Sequence, residues 1–323
     1  MPGAFKIQGM DLIPESKIEP LLEAPRRQRC RPPPALATYI DNYLQLDIAT
    51  AGAELPRLLP SAGAICFFFY GASLAVQNVH AGLQETSSES FLICNRHHVL
   101  DLSANGATGL IVVNFRPGRF RYFTDIPFSE LQDHLTGAAD LWGEPARELT
   151  EQLAQGNTFA ERAQILSAFF LQVLKAREAS RLDLLLDLLY LSPGTRIAEL
   201  AEQGGWSLRH FERQFTATYG VTPKYFARVA RMQQVARKLA LEPGSSTLES
   251  ALDAGFFDQS HFIHELSKLA GLSASELARG VRERPHFYNP KALQWYLCHM
   301  DNMVNSLGAV NLKLNLPPAY RRA

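Results

Sequence analysis

The sequence has no net charge, few cysteines and no long apolar run. Its 32 Lys and Arg match 32 Asp and Glu, so bulk charge does not lead to nucleic acid or to an acidic partner. The four cysteines, Cys30, Cys66, Cys94 and Cys298, are scattered. They show no disulfide framework, and reduced thiols in a cytoplasm are expected. The strongest apolar run, Ile65 to Tyr70, suits a strand and falls far short of a membrane span. The N-terminus lacks a basic segment followed by an apolar one, so no secretion signal is expected. Missing too are a nucleophile–base–acid arrangement, a His-Glu-x-x-His helix and a G-x-S-x-G elbow. Arg116-Pro117-Gly118-Arg119 has one glycine and no phosphate-binding lysine, so it reads as a type II turn. No enzyme, no cofactor and no metal site is expected. Cys94, His97 and His98, with His80 upstream, lack a tight ligand spacing, and adjacent histidines on a strand face opposite ways.

What is present is an ordinary folded composition, 46% hydrophobic and 20% charged over 323 residues. That length accommodates two domains. The charge is unevenly spread: 16 Lys and Arg against 21 Asp and Glu in residues 1–194, and 16 against 11 in residues 195–323. A mildly basic C-terminal part is compatible with nucleic acid without arguing for it.

The texture changes along the chain. Residues 1–34 are rich in proline and polar groups, with Arg26, Arg27, Arg29 and Arg31 as a solvated basic patch. Residues 35–155 read as short strands and turns, as in a barrel or sandwich. Residues 156–180 read as a helical linker. Ala163, Leu166, Phe169, Phe170, Val173 and Leu174 recur at helical spacing, and Arg181 to Tyr190 forms a second helix apolar enough to bury most of its surface. Residues 181–280 are short helices around one longer one. Residues 281–323 are an extension, in which Lys291 to Met303 reads as a helix.

The informative feature is a duplication. Ile197-Ala198-Glu199-Leu200-Ala201 is followed by glycine, Trp206 and a helix carrying Phe211 and Phe215. Leu248-Glu249-Ser250-Ala251-Leu252 is followed by Gly255, Phe256 and a helix carrying Phe262 and Leu266. Ser207, Thr222, Asp258 and Ser273 stand where helix caps belong, and Pro223 where a first-turn proline is harmless. Helix, glycine turn, helix is the arrangement that delivers a second helix to a major groove. A connecting helix of about 18 residues spaces the two copies by about 27 Å. With the thickness of each unit added, that is near one turn of B-DNA, about 34–36 Å.

At Gly255-Phe256-Phe257-Asp258-Gln259-Ser260-His261-Phe262 the chain resembles the AraC family of bacterial transcription regulators, whose signature there is Gly-Phe-x-Asp-x-Ser-x-Phe. Arg209 to Phe215, Gly220-Val221-Thr222-Pro223 and Arg228 to Ala236 match in order. The resemblance covers residues 181–280. It implies that the helices near 207–218 and 258–269 read DNA, and that Ile197, Leu200, Trp206, Phe211, Phe215, Gly220, Pro223, Gly255, Phe256 and Phe262 are structural. His264 departs from the pattern where Arg is common, as do Leu266, Ser267 and Ala274. Upstream, Pro34 to Leu46, Leu59-Pro60, Asn114 to Phe120 and Asp140 to Gly143 resemble a domain that often precedes this unit. That second resemblance implies a cupin-like β-barrel.

The fold expected is therefore α+β: an N-terminal cupin-like β-barrel, then an all-α domain with two helix-turn-helix units joined by a long helix. The function expected is sequence-specific DNA binding and transcription regulation in the cytoplasm, under a small-molecule effector; activator is the sign named for it, although activator or repressor depends on where the operator lies relative to the promoter, which the residues do not encode. Two alternatives stand beside it. One is an effector-independent regulator whose barrel is a dimerisation or docking module, and the other is a cupin-like enzyme fused to a DNA-binding domain. The DNA-contacting residues expected are Ser207, Arg209, His210, Arg213, Gln214, Gln259, Ser260, His261, His264 and Lys268. Arg, His and Gln donate to purine edges, and Arg pairs with guanine through two bonds. Surface charge or phosphate anchoring is the plainer reading of the same side chains. Phe67, Phe69, Cys94, Asn114 and Phe120 are candidates for an effector pocket, with plain core packing as the alternative. The partners considered are double-stranded promoter DNA, a small effector, RNA polymerase for an activator, and a second copy of the chain, with no membrane.

Overall fold

The computed structural model describes residues 26–283, apart from positions 50, 52–54, 56, 79–82, 88, 179 and 243. The first 25 residues of the expected arm, His80, the expected helix over 291–303 and Cys298 lie outside the described residues. The chain divides into two compact units. The first comprises residues up to 58, 63–94 and 100–177, and the second comprises 59–62, 95–99 and 178 onward.

The strands are β1 (Arg26–Cys30), β2 (Ile40–Ile48), β3 (Ser61–Phe69), β4 (Leu74–Asn78), β5 (Leu83–Ser87), β6 (Phe91–Arg96), β7 (Leu100–Ala104), β8 (Thr108–Phe115) and β9 (Leu135–Gly137). They form one sheet in the order β1-β2-β8-β3-β6-β9 and another in the order β5-β4-β7. The cupin-like barrel expected from the sequence is therefore incorrect. A barrel requires its first and last strands to pair at a consistent stagger. Among the described residues the larger sheet instead ends at β1 on one side and at the three-residue β9 on the other, and the smaller sheet is also open. The basic run Arg26–Arg29 lies within edge strand β1, paired antiparallel to β2 from Arg26↔Asp47 to Cys30↔Tyr43.

Four helices follow in this unit: α1 (Phe128–Leu131), α2 (Ala138–Trp142), α3 (Glu144–Gln155) and α4 (Phe159–Val173). Thr158 and Glu161 close a reciprocal cap at the start of α4. Helix α4 covers one face of the larger sheet. Phe68 meets Phe169 and Phe170 edge-on with centroids 6.4 and 6.1 Å apart, and Phe115 and Phe123 each meet Phe170 at 5.4 Å. A helix thus covers the face of β3 that carries Phe68, opposite the face of Phe67 and Phe69, and the sheet stays open. The Arg116–Arg119 turn forms as expected, with Gly118 at φ 70 and Arg119 N–H donating to Arg116 O at 3.0 Å.

The second unit is helical: α5 (Arg181–Leu191), α6 (Ile197–Gln203), α7 (Leu208–Tyr219), α8 (Pro223–Leu241), α9 (Thr247–Asp253), α10 (Gln259–Ala270) and α11 (Ala274–Glu283). Every side chain of α5 from Leu182 to Leu191 is buried, as its lack of a polar face requires. Helix α8 has 19 residues and so spans about 28 Å. Its Val229, Met232, Val235, Ala236 and Leu239 pack with Phe256, Phe262, Leu266 and Leu277, and Leu59 and Val99 belong to the same core. Gly220 and Gly271 end α7 and α10 in the left-handed conformation, at φ 71 and 61.

Candidate nucleic-acid interface

Helices α7 and α10 are built alike down to single contacts. In the first copy Gly205 N–H donates to Glu202 O and Trp206 N–H to Ala201 O, both at 2.9 Å. In the second Gly255 N–H donates to Leu252 O and Phe256 N–H to Ala251 O, both at 3.0 Å. Both glycines have positive φ, 70 and 88, which a side chain would strain. Each aromatic residue then holds the third residue of the following helix. Trp206 meets the His210 ring at 5.4 Å and 65°, and Phe256 meets the His261 ring at 5.4 Å and 65°. The caps correspond as well. Ser207 Oγ accepts from His210 N–H at 3.3 Å, and Asp258 Oδ1 accepts from His261 N–H at 2.8 Å. Phe211 and Phe262, next along each helix, are buried in their cores.

This construction leaves one face of each helix free. On α7, Arg209 and Arg213 are exposed, with His210 and Gln214 half-buried beside them. On α10, Gln259, Ser260, His264 and Lys268 are exposed and His261 is half-buried. The histidines present a donor on each helix. Arg213 Nη2 lies 3.2 Å from His210 Nδ1, and Phe257 N–H donates to His261 Nδ1 at 3.3 Å. An accepting Nδ1 puts the neutral ring's proton on Nε2. Ser207 and Asp258 both serve as caps, so Asp258 is held at a helix N-terminus where its charge is favourable.

Four of the five basic residues of α8 have work within the unit, which periodicity alone did not reveal. Arg228 grips Glu265 of α10 through two bonds at 2.5 and 3.3 Å. Arg231 donates to Gly255 O at 3.4 Å and lies 5.3 Å over the Phe256 ring. Lys238 bonds Asp253 of α9, and Arg237 bonds the Tyr190 hydroxyl. Arg228, Arg231 and Lys238 thus fasten α9, α10 and the turn between them to the central helix. Glu265 is held below the usual carboxylate range: burial alone would raise it, but the Arg228 hydrogen bonds and charge, with Arg231 and His261, lower it further.

The five effector-pocket candidates do not converge. Phe67 and Phe69 pack on Phe91 at 5.0 and 5.7 Å. Asn114 pairs with Ile65 on the same side of β3 and donates to Asn42 Oδ1 at 3.1 Å. Cys94 is an odd step from Phe91 along β6, so it faces the other way, and it is fully buried. Phe120 packs against Phe115 and Trp142 on the α4 side, at 5.0 and 6.0 Å. Cys30, Cys66 and Cys94 are buried; burial pushes the Cys30 thiol up to about 12 and Cys66 well above its usual value. His97 lies 4.3 Å from the Tyr225 ring. Among the described residues no group of three His, Cys, Asp or Glu is placed to hold a metal, and no helix is long and apolar enough to cross a membrane.

Residues 200–280 match a helix-turn-helix domain model, and residues 28–137 match a domain of unknown function (DUF6597). The uncharacterized HTH-type transcriptional regulator YbfI of Bacillus subtilis is 43% identical over 63 residues, 20% of this chain and 22% of YbfI. The HTH-type transcriptional regulator ExsA of Pseudomonas aeruginosa is 27% identical over 133 residues, 41% of this chain and 47% of ExsA. The chain thus spans between about a fifth and a half of the length of these curated relatives. Among solved structures, ToxT from Vibrio cholerae is similar at 11% identity and a TM-score of 0.46, covering 74% of this chain and 97% of ToxT. Residues 200–280 thus carry a helix-turn-helix domain, built as two copies of helix, glycine turn and helix joined through α8.

Proposed function

We propose that this chain is a sequence-specific DNA-binding transcription regulator that sets α7 and α10 into successive major grooves. The observation that carries this reading is the repeated construction from the Gly205 and Gly255 turns to the His210 and His261 rings, with exposed donors on the corresponding faces. Arg209, Arg213 and Gln259 are assigned to base edges. Ser207, His210, Gln214, Ser260, His261, His264 and Lys268 complete the contacts with bases and phosphates. Residues 181–280 bind DNA, while residues 35–155 carry regulation, by a small effector or by pairing with a second copy. The protein acts in the cytoplasm, as an activator in contact with RNA polymerase. Phe67, Phe69 and Asn114 remain together on one sheet face as effector contacts.

Footprinting at fixed salt tests the reading. The expected result is protection in two grooves one helical turn apart, lost at one by Arg209→Ala and at the other by Gln259→Ala. A folded protein with no preference for any duplex overturns it.

A further inference from the structure

The two copies differ in one respect at the mouth of the reading helix. Between the left-handed glycine and the cap the first copy has one residue, Trp206. The second has two, Phe256 and Phe257. Phe256 takes the place of Trp206 against the histidine ring, so Phe257 is the additional residue. It is 87% exposed, well above any other large apolar side chain that the described residues expose.

Its backbone is fixed. Phe257 N–H donates to His261 Nδ1, and Asp258, next in the chain, caps α10 through His261 N–H. Its Cα therefore stands at a set position at the N-terminal end of α10, with the ring reaching into solvent immediately before the exposed Gln259 and Ser260. In helix-turn-helix complexes the N-terminal residues of the second helix meet base edges. In the major groove the one apolar group on a base edge is the thymine C5-methyl, and Phe is among the side chains that contact it. We propose that Phe257 is a specificity-determining residue that packs on a thymine methyl in the half-site read by α10. This rests on the DNA-binding reading above and adds the base it selects. An aromatic ring held in water regains its burial only where a methyl is present, so it discriminates thymine from cytosine at that position without a hydrogen bond.

The test uses the full chain and an operator selected by the wild-type protein from random duplexes. Each thymine of the α10 half-site is replaced in turn by deoxyuridine, which removes only the methyl. One such replacement is expected to weaken wild-type binding about fourfold, the factor for one methyl-sized group taken out of water. Phe257→Ala is expected to weaken binding to the thymine operator by at least as much, and to be indifferent to that same replacement. Phe257→Leu, which keeps an apolar surface, should retain part of the preference. Additive losses from Phe257→Ala and the replacement, or no thymine that matters to the wild type, overturn the proposal while leaving DNA binding intact. So does a Phe257→Ala protein that binds DNA normally but no longer regulates, which would place the ring on a protein partner. Failure to select any operator would fall on the DNA-binding reading instead.

Discussion

The Tyr219 hydroxyl donates to Asp183 Oδ1 at 2.9 Å, joining the last residue of α7 to the first turn of α5. Both side chains are buried. The other oxygen of Asp183 accepts from Ser180 at the helix cap, so one carboxylate closes the start of α5 and holds the end of α7. Asn95 Nδ2 also donates to Tyr219 O at 2.6 Å.

Tyr219→Phe is expected to lower stability by about 1–3 kcal/mol, because it takes a donor from a buried carboxylate. Urea unfolding should show a lower midpoint with an unchanged slope. A midpoint equal to the wild type would mean that the bond adds nothing.

Acid should weaken the clamp between α8 and α10. Glu265 titrates lower in the folded protein than in the unfolded chain. Its contribution is therefore complete above the unfolded value, about 4.3, and is lost as pH falls through the folded value. Melting temperatures taken from pH 6 to pH 3 should drop less steeply for Glu265→Gln, which starts lower. Parallel curves would rule the linkage out.

Lys268 is exposed in the last turn of α10 and is assigned to phosphate. Lys268→Ala should weaken binding to all duplexes alike and reduce the slope of log affinity against log salt by about 1. His264→Arg should steepen that slope and tighten operator binding, since it adds a cation on the free face. An unchanged salt slope in either variant removes that residue from the interface.

Gly255→Ala is expected to destabilise by about 1 kcal/mol through its φ of 88 alone. The space for a methyl is adequate: a Cβ would meet Gly194 Cα at 3.5 Å and Arg231 Cδ at 3.9 Å. Calorimetry comparing Gly255→Ala with Ala254→Gly would separate backbone strain from packing, and a neutral Gly255→Ala would show the turn relaxing.

The helical unit was legible because its signals are local. Ser207, Thr222 and Asp258 cap the helices they precede, and the glycine-aromatic pairs mark both turns. The open sheets were not legible. The apolar runs of β3 and β8 look the same whether a barrel wall or a helix covers them, and the covering side chains, Phe169 and Phe170, lie about a hundred residues away from Phe68 in the chain. The clamps of Arg228 and Arg231 were hidden for a related reason. A basic residue on a long helix reads as surface until its partner, Glu265 or Phe256, is placed beside it. Leu59 and Val99 carried no mark of membership in a helical core formed after residue 178.

Those two residues make the helical unit discontinuous along the polypeptide. As the chain leaves the ribosome, segments 59–62 and 95–99 emerge long before α8 (Pro223–Leu241) exists to receive them, and both must wait while well over a hundred further residues are made. A shortened gene beginning at codon 178 would code for every helix of the unit and still leave a hollow where Leu59 and Val99 belong. Anyone isolating the helices for DNA work would do better to keep the whole chain, or to fill that hollow with larger side chains on α8 or α11.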